Sequence, residues 1–298
     1  MDDAILARLP ARNPAGHKGE FGHVLSICGS ERYQGAAVLA ALGAVHSGAG
    51  MVTAAFPRAA YPAIAAKLTV TPLLPLPGNR QGTLHVSSIK ALREALPGKD
   101  AVLLGCGLGL NADTVALTGL LLEEAQTPMV LDADALHALA SINSGGAHMH
   151  GYGRLHGGVV LTPHPGEMAR LCGCSIAEIQ ENPEGIARNF AREHDVVLVL
   201  KGAKTIVANQ ESGNREQGSG IWICPLPPNS GLAKGGSGDL LAGMIASLLA
   251  QGLAPFDAAV CGVYLHALAA ARAAKRLAPS GMTALDCIDE LRELRVES

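Results

Sequence analysis

Aromatic side chains are scarce in this 298-residue chain, 3% against 48% hydrophobic residues overall and 36 glycines. The core therefore cannot rest on packed rings and must come from Ala, Leu and Val set close to glycine-rich turns. Charge is thin as well, 16% of residues with a formal balance of -3, and no basic patch stands out. That removes the electrostatic case for nucleic acid or for an anionic membrane. No uninterrupted apolar run approaches the ~20 residues of a membrane span. The first ten residues carry Asp2 and Asp3 and no continuous apolar stretch, so they read as neither a signal nor a transit peptide, and a cytoplasmic protein is expected. The seven cysteines, at 28, 106, 172, 174, 224, 261 and 287, are odd in number and scattered, which suits reduced core thiols better than a disulfide framework. Cys172 and Cys174 form the only close pair, without the second pair or histidines that a zinc site needs. The common phosphate loop Gly-x4-Gly-Lys-Ser/Thr is missing too.

What the chain does have is a glycine-crowded stretch at 229–239, reading Asn-Ser-Gly-Leu-Ala-Lys-Gly-Gly-Ser-Gly-Asp, that runs into an apolar helix. Such a loop lets the backbone approach a ligand, and the helix start presents unpaired N–H groups and a partial positive charge. Gly235, Gly236, Ser237 and Gly238 are therefore expected to form an anion hole. Asp239 is expected at the helix start as an ionised, oriented carboxylate. A capping role alone would leave the glycines before it unexplained.

Elsewhere short apolar runs alternate with alanine-rich helical ones. Strands are expected at 24–28, 51–56, 101–104, 129–131, 159–161 and 196–200. Helices are expected at 35–46, 88–96, 114–124, 239–251, 257–276 and 284–294. Ser175 and Glu178 have capping-box spacing. The runs 205–208 and 221–224 read as a hairpin about a polar turn, 143–158 as a surface excursion, and the Pro-rich region around 72–77 as loose. Continuous apolar strands alternating with helices imply an α/β fold, one three-layer domain over 1–298 with a mostly parallel sheet and helices on both faces.

Ligands in such sheets bind beyond the carboxyl ends of the strands. The residues due there are Gly29-Ser30, Gly105-Cys106-Gly107, Asp132 and Asp134, Thr162 to Glu167, and Lys201 to Thr205. Singly each has a bland reading: the aspartates as caps of a helix at 135–140, His164 as part of a rigid Pro-His-Pro turn, Lys201 as a solvated charge. Together they converge on one edge.

These residues also form a recognisable set. His17-Lys18-Gly19 to Gly22, Gly29-Ser30, Tyr33-Gln34-Gly35-Ala36-Ala37, Gly48-Ala49-Gly50, Gly107-Leu108-Gly109, Asp132-Ala133-Asp134-Ala135-Leu136, Thr162-Pro163-His164-Pro165-Gly166-Glu167, Lys201-Gly202-Ala203-Lys204-Thr205 and Gly235-Gly236-Ser237-Gly238-Asp239 span nearly the whole chain. The pattern closely resembles the bacterial ADP-dependent NAD(P)H-hydrate dehydratases of the ribokinase-like superfamily. The resemblance implies repair of the S epimer of hydrated NADH or NADPH, with ADP consumed and AMP and phosphate released. It implies Lys201, Gly202, Ala203, Lys204, Thr205 and Gly238 at the nucleotide. Ala36, Gly107, Gly109, His164 and Asp239 would lie at the hydrated cofactor, with Asp239 as the catalytic base. Mg²⁺ on the phosphates, with no ligands assigned, and a homotetramer are implied as well; the alanine-rich helix at 257–276 reads either as a candidate interface or simply as core. The epimerase fused to some relatives is not expected in the 16 residues before His17, so epimerisation would fall to a separate enzyme. This chain departs from many relatives in Cys106, where proline is common, and in Ser237, where threonine is commoner.

Three rivals remain on sequence grounds. A vitamin kinase of the same superfamily would stop at a phosphoester. A Rossmann oxidoreductase is mimicked by Gly107-Leu108-Gly109-Leu110-Asn111-Ala112 with Asp132 about 20 residues on. A nucleotide sensor would bind without turnover.

Overall fold

The computed structural model describes residues 2–144, 155, 158–210 and 220–294. Nine strands form one sheet: β1 (His23–Ile27), β2 (Met51–Pro57), β3 (Leu73–Leu76), β4 (Ala101–Leu104), β5 (Met129–Leu131), β6 (Val159–Leu161), β7 (Val197–Leu200), β8 (Ile206–Ala208) and β9 (Ile221–Ile223). Their order is β3-β2-β1-β4-β5-β6-β7-β8-β9. From β3 to β7 every neighbour is parallel, while β8 and β9 close the far side as the expected antiparallel hairpin. Residues 211–219 of its turn, and 145–154, 156 and 157 of the expected surface excursion, lie outside the described residues.

The strands read as continuous apolar runs because both faces are covered. Val24, Leu103, Val130 and Val197 enter one core; Leu25, Leu104, Leu131 and Leu198 enter the other. Successive side chains point to opposite faces, so neither face reaches water. Helices Gln34–His46, Ser237–Ala250 and Pro255–Ala273 cover the first face, and helices Ala112–Glu124, Asp134–Ser144, Pro165–Cys172 and Pro183–His194 the second. The capping box at Ser175 forms, Glu178 N donating to Ser175 Oγ at 3.2 Å and Ser175 N to Glu178 Oε2 at 2.9 Å.

Two expectations need correction. The Pro-rich stretch holds a strand, β3, because it lies at the sheet edge and needs one neighbour only, so the missing N–H of Pro75 breaks no second ladder. The glycine-loop helix begins at Ser237 with Gly236 (φ 95) as its N-cap, which puts Asp239 inside the first turn instead of at the cap. The helix at Pro255–Ala273 buries most of its length within the fold, residues 258–266 among them. Its alanines pack as core.

Two helices of the first face approach unusually closely. A Cβ on Gly43 would fall 2.4 Å from the Leu240 carbonyl oxygen, and one on Gly243 2.1 Å from that of Ala40. This contact seats the 229–239 loop beside the end of β1. No helix among the described residues is long and apolar enough to cross a membrane.

Candidate active site

The carboxyl ends of β4, β5, β6 and β7 supply the centre of the site. Asp132, just past β5, is 2% exposed. Its Oδ1 lies 2.7 Å from Lys201 Nζ, one residue past β7, and accepts a hydrogen bond at 2.7 Å from Thr162 Oγ1, past the intervening β6. Asp132 Oδ2 is 3.7 Å from Cys106 Sγ, which follows β4. The β4 and β5 ends can meet only because residue 105 is glycine: an added Cβ there would sit 1.9 Å from the Asp132 carbonyl oxygen. Ala133 adopts φ 50, an uncommon left-handed conformation for a residue with a side chain, in the turn that directs Asp132 inward.

Asp239 completes the cluster from the first turn of the helix behind the glycine loop. One ligand-type atom each of Cys106, Asp132 and Asp239 lies within 4.8 Å of the others. Burial, then the charge of Asp132, push the Asp239 carboxyl up to about 6, with a hydrogen bond from Cys106 and the charge of Lys201 opposing. This reverses the expected effect of the helix start: desolvation beside a like charge outweighs the helix field. Burial works against the charge of Lys201, yet Asp132 and Glu167 leave its ammonium group more basic than usual. The Cys106 thiol, hydrogen-bonded to Cys28 and fully buried, is held well above its ordinary range and stays protonated.

The loop expected to form an anion hole, 235–238, sits next to this cluster. A Cβ on Gly238 would be 3.2 Å from Lys201 Nζ and 3.7 Å from Asp132 Oδ2. Ser237 Oγ is buried with no hydrogen-bond partner among the described residues, a donor left available in a cradle shaped for an anion. Lys234 is turned away, its Nζ donating to the Ser280 carbonyl at 2.6 Å.

The remaining expected residues fall around this centre. Gly107 packs on the helix Gln34–His46: a Cβ there would lie 2.7 Å from Ala36 Cβ and 2.6 Å from Tyr33 Cβ. Gly109 N donates to Asp134 Oδ2 at 2.8 Å. Of the 201–205 run only Lys201 reaches inward; Gly202, Ala203 and Lys204 are exposed, and Thr205 O accepts from Cys224 N at 3.0 Å. His164 caps the helix Pro165–Cys172, its Nδ1 accepting from Gly166 N at 3.0 Å and Glu167 N at 3.3 Å, while Glu167 Oε2 accepts from His164 N. More than half of its side chain is still open to solvent. The His17-Lys18-Gly19 motif lies elsewhere, before β1 at the amino-terminal edge, where Gly50 packs against the Lys18 carbonyl.

Sequence reasoning gave Asp132 less weight than it deserves and left Thr162 and Cys106 without roles. Capping, the ordinary role of such an aspartate, hid its pairing with Lys201 across β6. The Rossmann reading fails on the same contact, because Asp132 is buried against an ammonium group and not presented to a ribose.

Comparison with known proteins identifies the family. The family model described as NAD(P)H-hydrate dehydratase matches residues 24–293. The chain is 42% identical over 288 residues to the bifunctional NAD(P)H-hydrate repair enzyme Nnr of Moorella thermoacetica, covering 96% of this chain and 51% of that protein. It is 37% identical over 261 residues to the ADP-dependent (S)-NAD(P)H-hydrate dehydratase of Neisseria meningitidis, covering 87% and 80%. The chain thus spans about half the length of the bifunctional relatives it matches. Among solved structures, an ADP/ATP-dependent NAD(P)H-hydrate dehydratase from Bacillus subtilis, co-crystallised with ATP and Mg²⁺, superposes with TM-score 0.79 at 29% identity over 98% of this chain and 95% of that one. A ribokinase-like protein from Enterococcus faecalis, at TM-score 0.81 and 23% identity over 98% and 93%, shares the fold.

Proposed function

Since the chain belongs to the NAD(P)H-hydrate dehydratase family, we propose that it dehydrates the S epimer of hydrated NADH and NADPH, consuming ADP and releasing AMP and phosphate. The observation that carries this reading is the placement of Asp239, in the first helical turn behind the glycine loop and close to Asp132 of the Lys201–Asp132 pair; burial pushes its carboxyl up to about 6. A base with a pKa close to neutral is suited to accept a hydroxyl proton.

Hydroxide is a poor leaving group, so the C6 hydroxyl of the hydrated ring is first phosphorylated. Its oxygen bonds to the terminal phosphorus of ADP, the proton passes to Asp239, and AMP departs. The C6–O bond then breaks with loss of a proton from the neighbouring ring carbon, phosphate leaves, and ring conjugation returns. Phosphoryl transfer asks chiefly for positioning and charge stabilisation. The helix start at Ser237 and the unpartnered Ser237 hydroxyl fit the phosphate. Lys201, next to Gly238, brings positive charge to the same place.

Mg²⁺ belongs to the reading. At phosphate sites it takes one or two carboxylates and completes its shell with phosphate oxygens and water. Asp132 fits that demand through Oδ2, which leaves Asp239 for proton transfer, whereas the protonated Cys106 thiol is a poor ligand for a hard cation. The ion would neutralise phosphate charge as it develops. A homotetramer, a cytoplasmic location and a separate epimerase for the other epimer complete the proposal.

Incubation with hydrated NADH and ADP, followed by reduced-nicotinamide absorbance and phosphate release, tests it. Recovery of absorbance with one phosphate released per NADH, faster with ADP than with ATP, is expected. A stable phosphorylated product without recovery would assign a kinase, and binding without phosphate release a sensor.

A further inference from the structure

A separate recess lies along the same edge of the sheet and takes no part in the chemistry above. Its cavity of about 370 Å³ is lined by Arg58, Tyr61, Pro62 and Pro75. Arg58 follows the last residue of β2 directly, so its guanidinium belongs to the carboxyl edge, where ligands lie in such sheets. It is exposed and makes no ion pair among the described residues. Tyr61 is 44% exposed, its ring centroid 6.4 Å from that of the buried Phe56. The ring is thus anchored on its inner side and open on its outer one. In a chain with 4 tyrosines and one tryptophan, an open aromatic beside an unpaired arginine and a cavity is a rare combination.

Position says what would fill it. Running from the reacting centre towards the β3 edge, the strands come in the order β4, β1, β2, β3. Gly107 follows β4, Tyr33 follows β1, and Arg58 and Tyr61 follow β2. Tyr33 is 55% exposed and packs its Cβ against Gly107, so these residues form one row. Neighbouring strands are about 4.8 Å apart, and the recess therefore stands two to three strand spacings from Gly107. A dinucleotide laid across the strand ends, with its nicotinamide-derived ring at Asp239, would bring its adenosine half to this point. An unpaired arginine beside an adenosine is the feature that accommodates a ribose 2′-phosphate, and an open aromatic face stacks a base.

We propose that the Arg58–Tyr61 recess is the subsite for the adenosine end of the hydrated dinucleotide, with Arg58 taking the 2′-phosphate of the NADPH form and Tyr61 stacking on adenine. The subsite rests on the dehydratase reading for its substrate, and it makes that reading specific: the hydrated NADPH form binds more tightly than the NADH form.

Adenosine 2′,5′-bisphosphate is the probe, titrated calorimetrically into the full chain with saturating ADP, so that the nucleotide site beside Lys201 is already filled. The wild-type protein is expected to bind it, Arg58→Ala and Tyr61→Ala to weaken it ~10- to 100-fold, and Tyr61→Phe to retain it. In turnover, Arg58→Ala is expected to lower kcat/KM for hydrated NADPH by a similar factor, to change that for hydrated NADH much less, and to leave the KM for ADP alone. Both side chains are exposed, and unchanged thermal midpoints will show that the variants fold. Probe affinity that ignores both alanine variants would overturn the subsite, even in an active enzyme. Arg58-dependent probe binding in a protein that never dehydrates would overturn the function and leave the subsite standing.

Discussion

Lys201 at the end of β7 reaches past β6 to place its Nζ 2.7 Å from Asp132 Oδ1 at the end of β5, and Thr162 on the strand between them donates to the same oxygen. Asp132 is buried while Lys201 keeps some contact with solvent, so the carboxylate depends on the ammonium group more than the reverse. Its geometry also sets the field in which Asp239 titrates: one carboxylate raises it and one ammonium opposes.

Removing half of this pair should cost more than removing all of it. Lys201→Met alone is expected to destabilise the protein by about 3–5 kcal/mol, because the buried Asp132 charge is left uncompensated, and Asp132→Asn by less, because Lys201 keeps some solvent. The double variant should lose much less than the sum of the two. Denaturant unfolding of the four proteins forms the cycle, and simple additivity would show that the two charges do not sense each other.

Asp239→Asn separates chemistry from binding. The amide cannot accept the hydroxyl proton, and loss of a positioned base costs about 10²- to 10⁴-fold in rate. Affinity for ADP should survive, since the loop N–H groups are untouched. Near-normal turnover in this variant would place the base elsewhere.

The same residue gives a pH dependence with a definite sign. The folded pKa of about 6 lies above the ordinary 3.8. The folded state therefore binds the proton more tightly than the unfolded chain, and stability is lost as pH rises from 3.8 through 6. Asp239→Asn should accordingly raise the thermal midpoint at pH 8 and leave it nearly unchanged at pH 4. Wild-type kcat/KM should rise with pH on an apparent pKa near 6. A midpoint gain equal at both pH values would contradict the burial of the ionised group.

For His164, capping and substrate contact predict different rescues. His164→Ala should lose about 1 kcal/mol of stability through the helix cap. His164→Asn restores a capping acceptor, so it should recover the thermal midpoint. If the exposed edge of the ring also orients the hydrated cofactor, the asparagine variant will keep a raised KM for that substrate and a normal one for ADP. Full recovery of both would make His164 a cap only.

The layered fold was legible in the chain because its causes are local. Runs such as Ala101–Leu104 and Val197–Leu200 are apolar at every position, which requires cover on both faces, and the helices between them announce parallel crossovers. The turn into the glycine-loop helix was legible for a similar reason, since the left-handed backbone of Gly236 needs a residue without a side chain. β3 was not, because proline speaks against a strand until the strand is known to lie at the edge. Nor could local order show that residues 106, 132, 162, 201 and 239 share one buried cluster. Strand order brings them together, and strand order is decided by packing between segments remote in sequence. The protonation behaviour of Asp239 belongs to that level as well. A helix start by itself favours the ionised carboxylate; burial beside Asp132 reverses it, and both of those depend on what the folded chain packs around the helix.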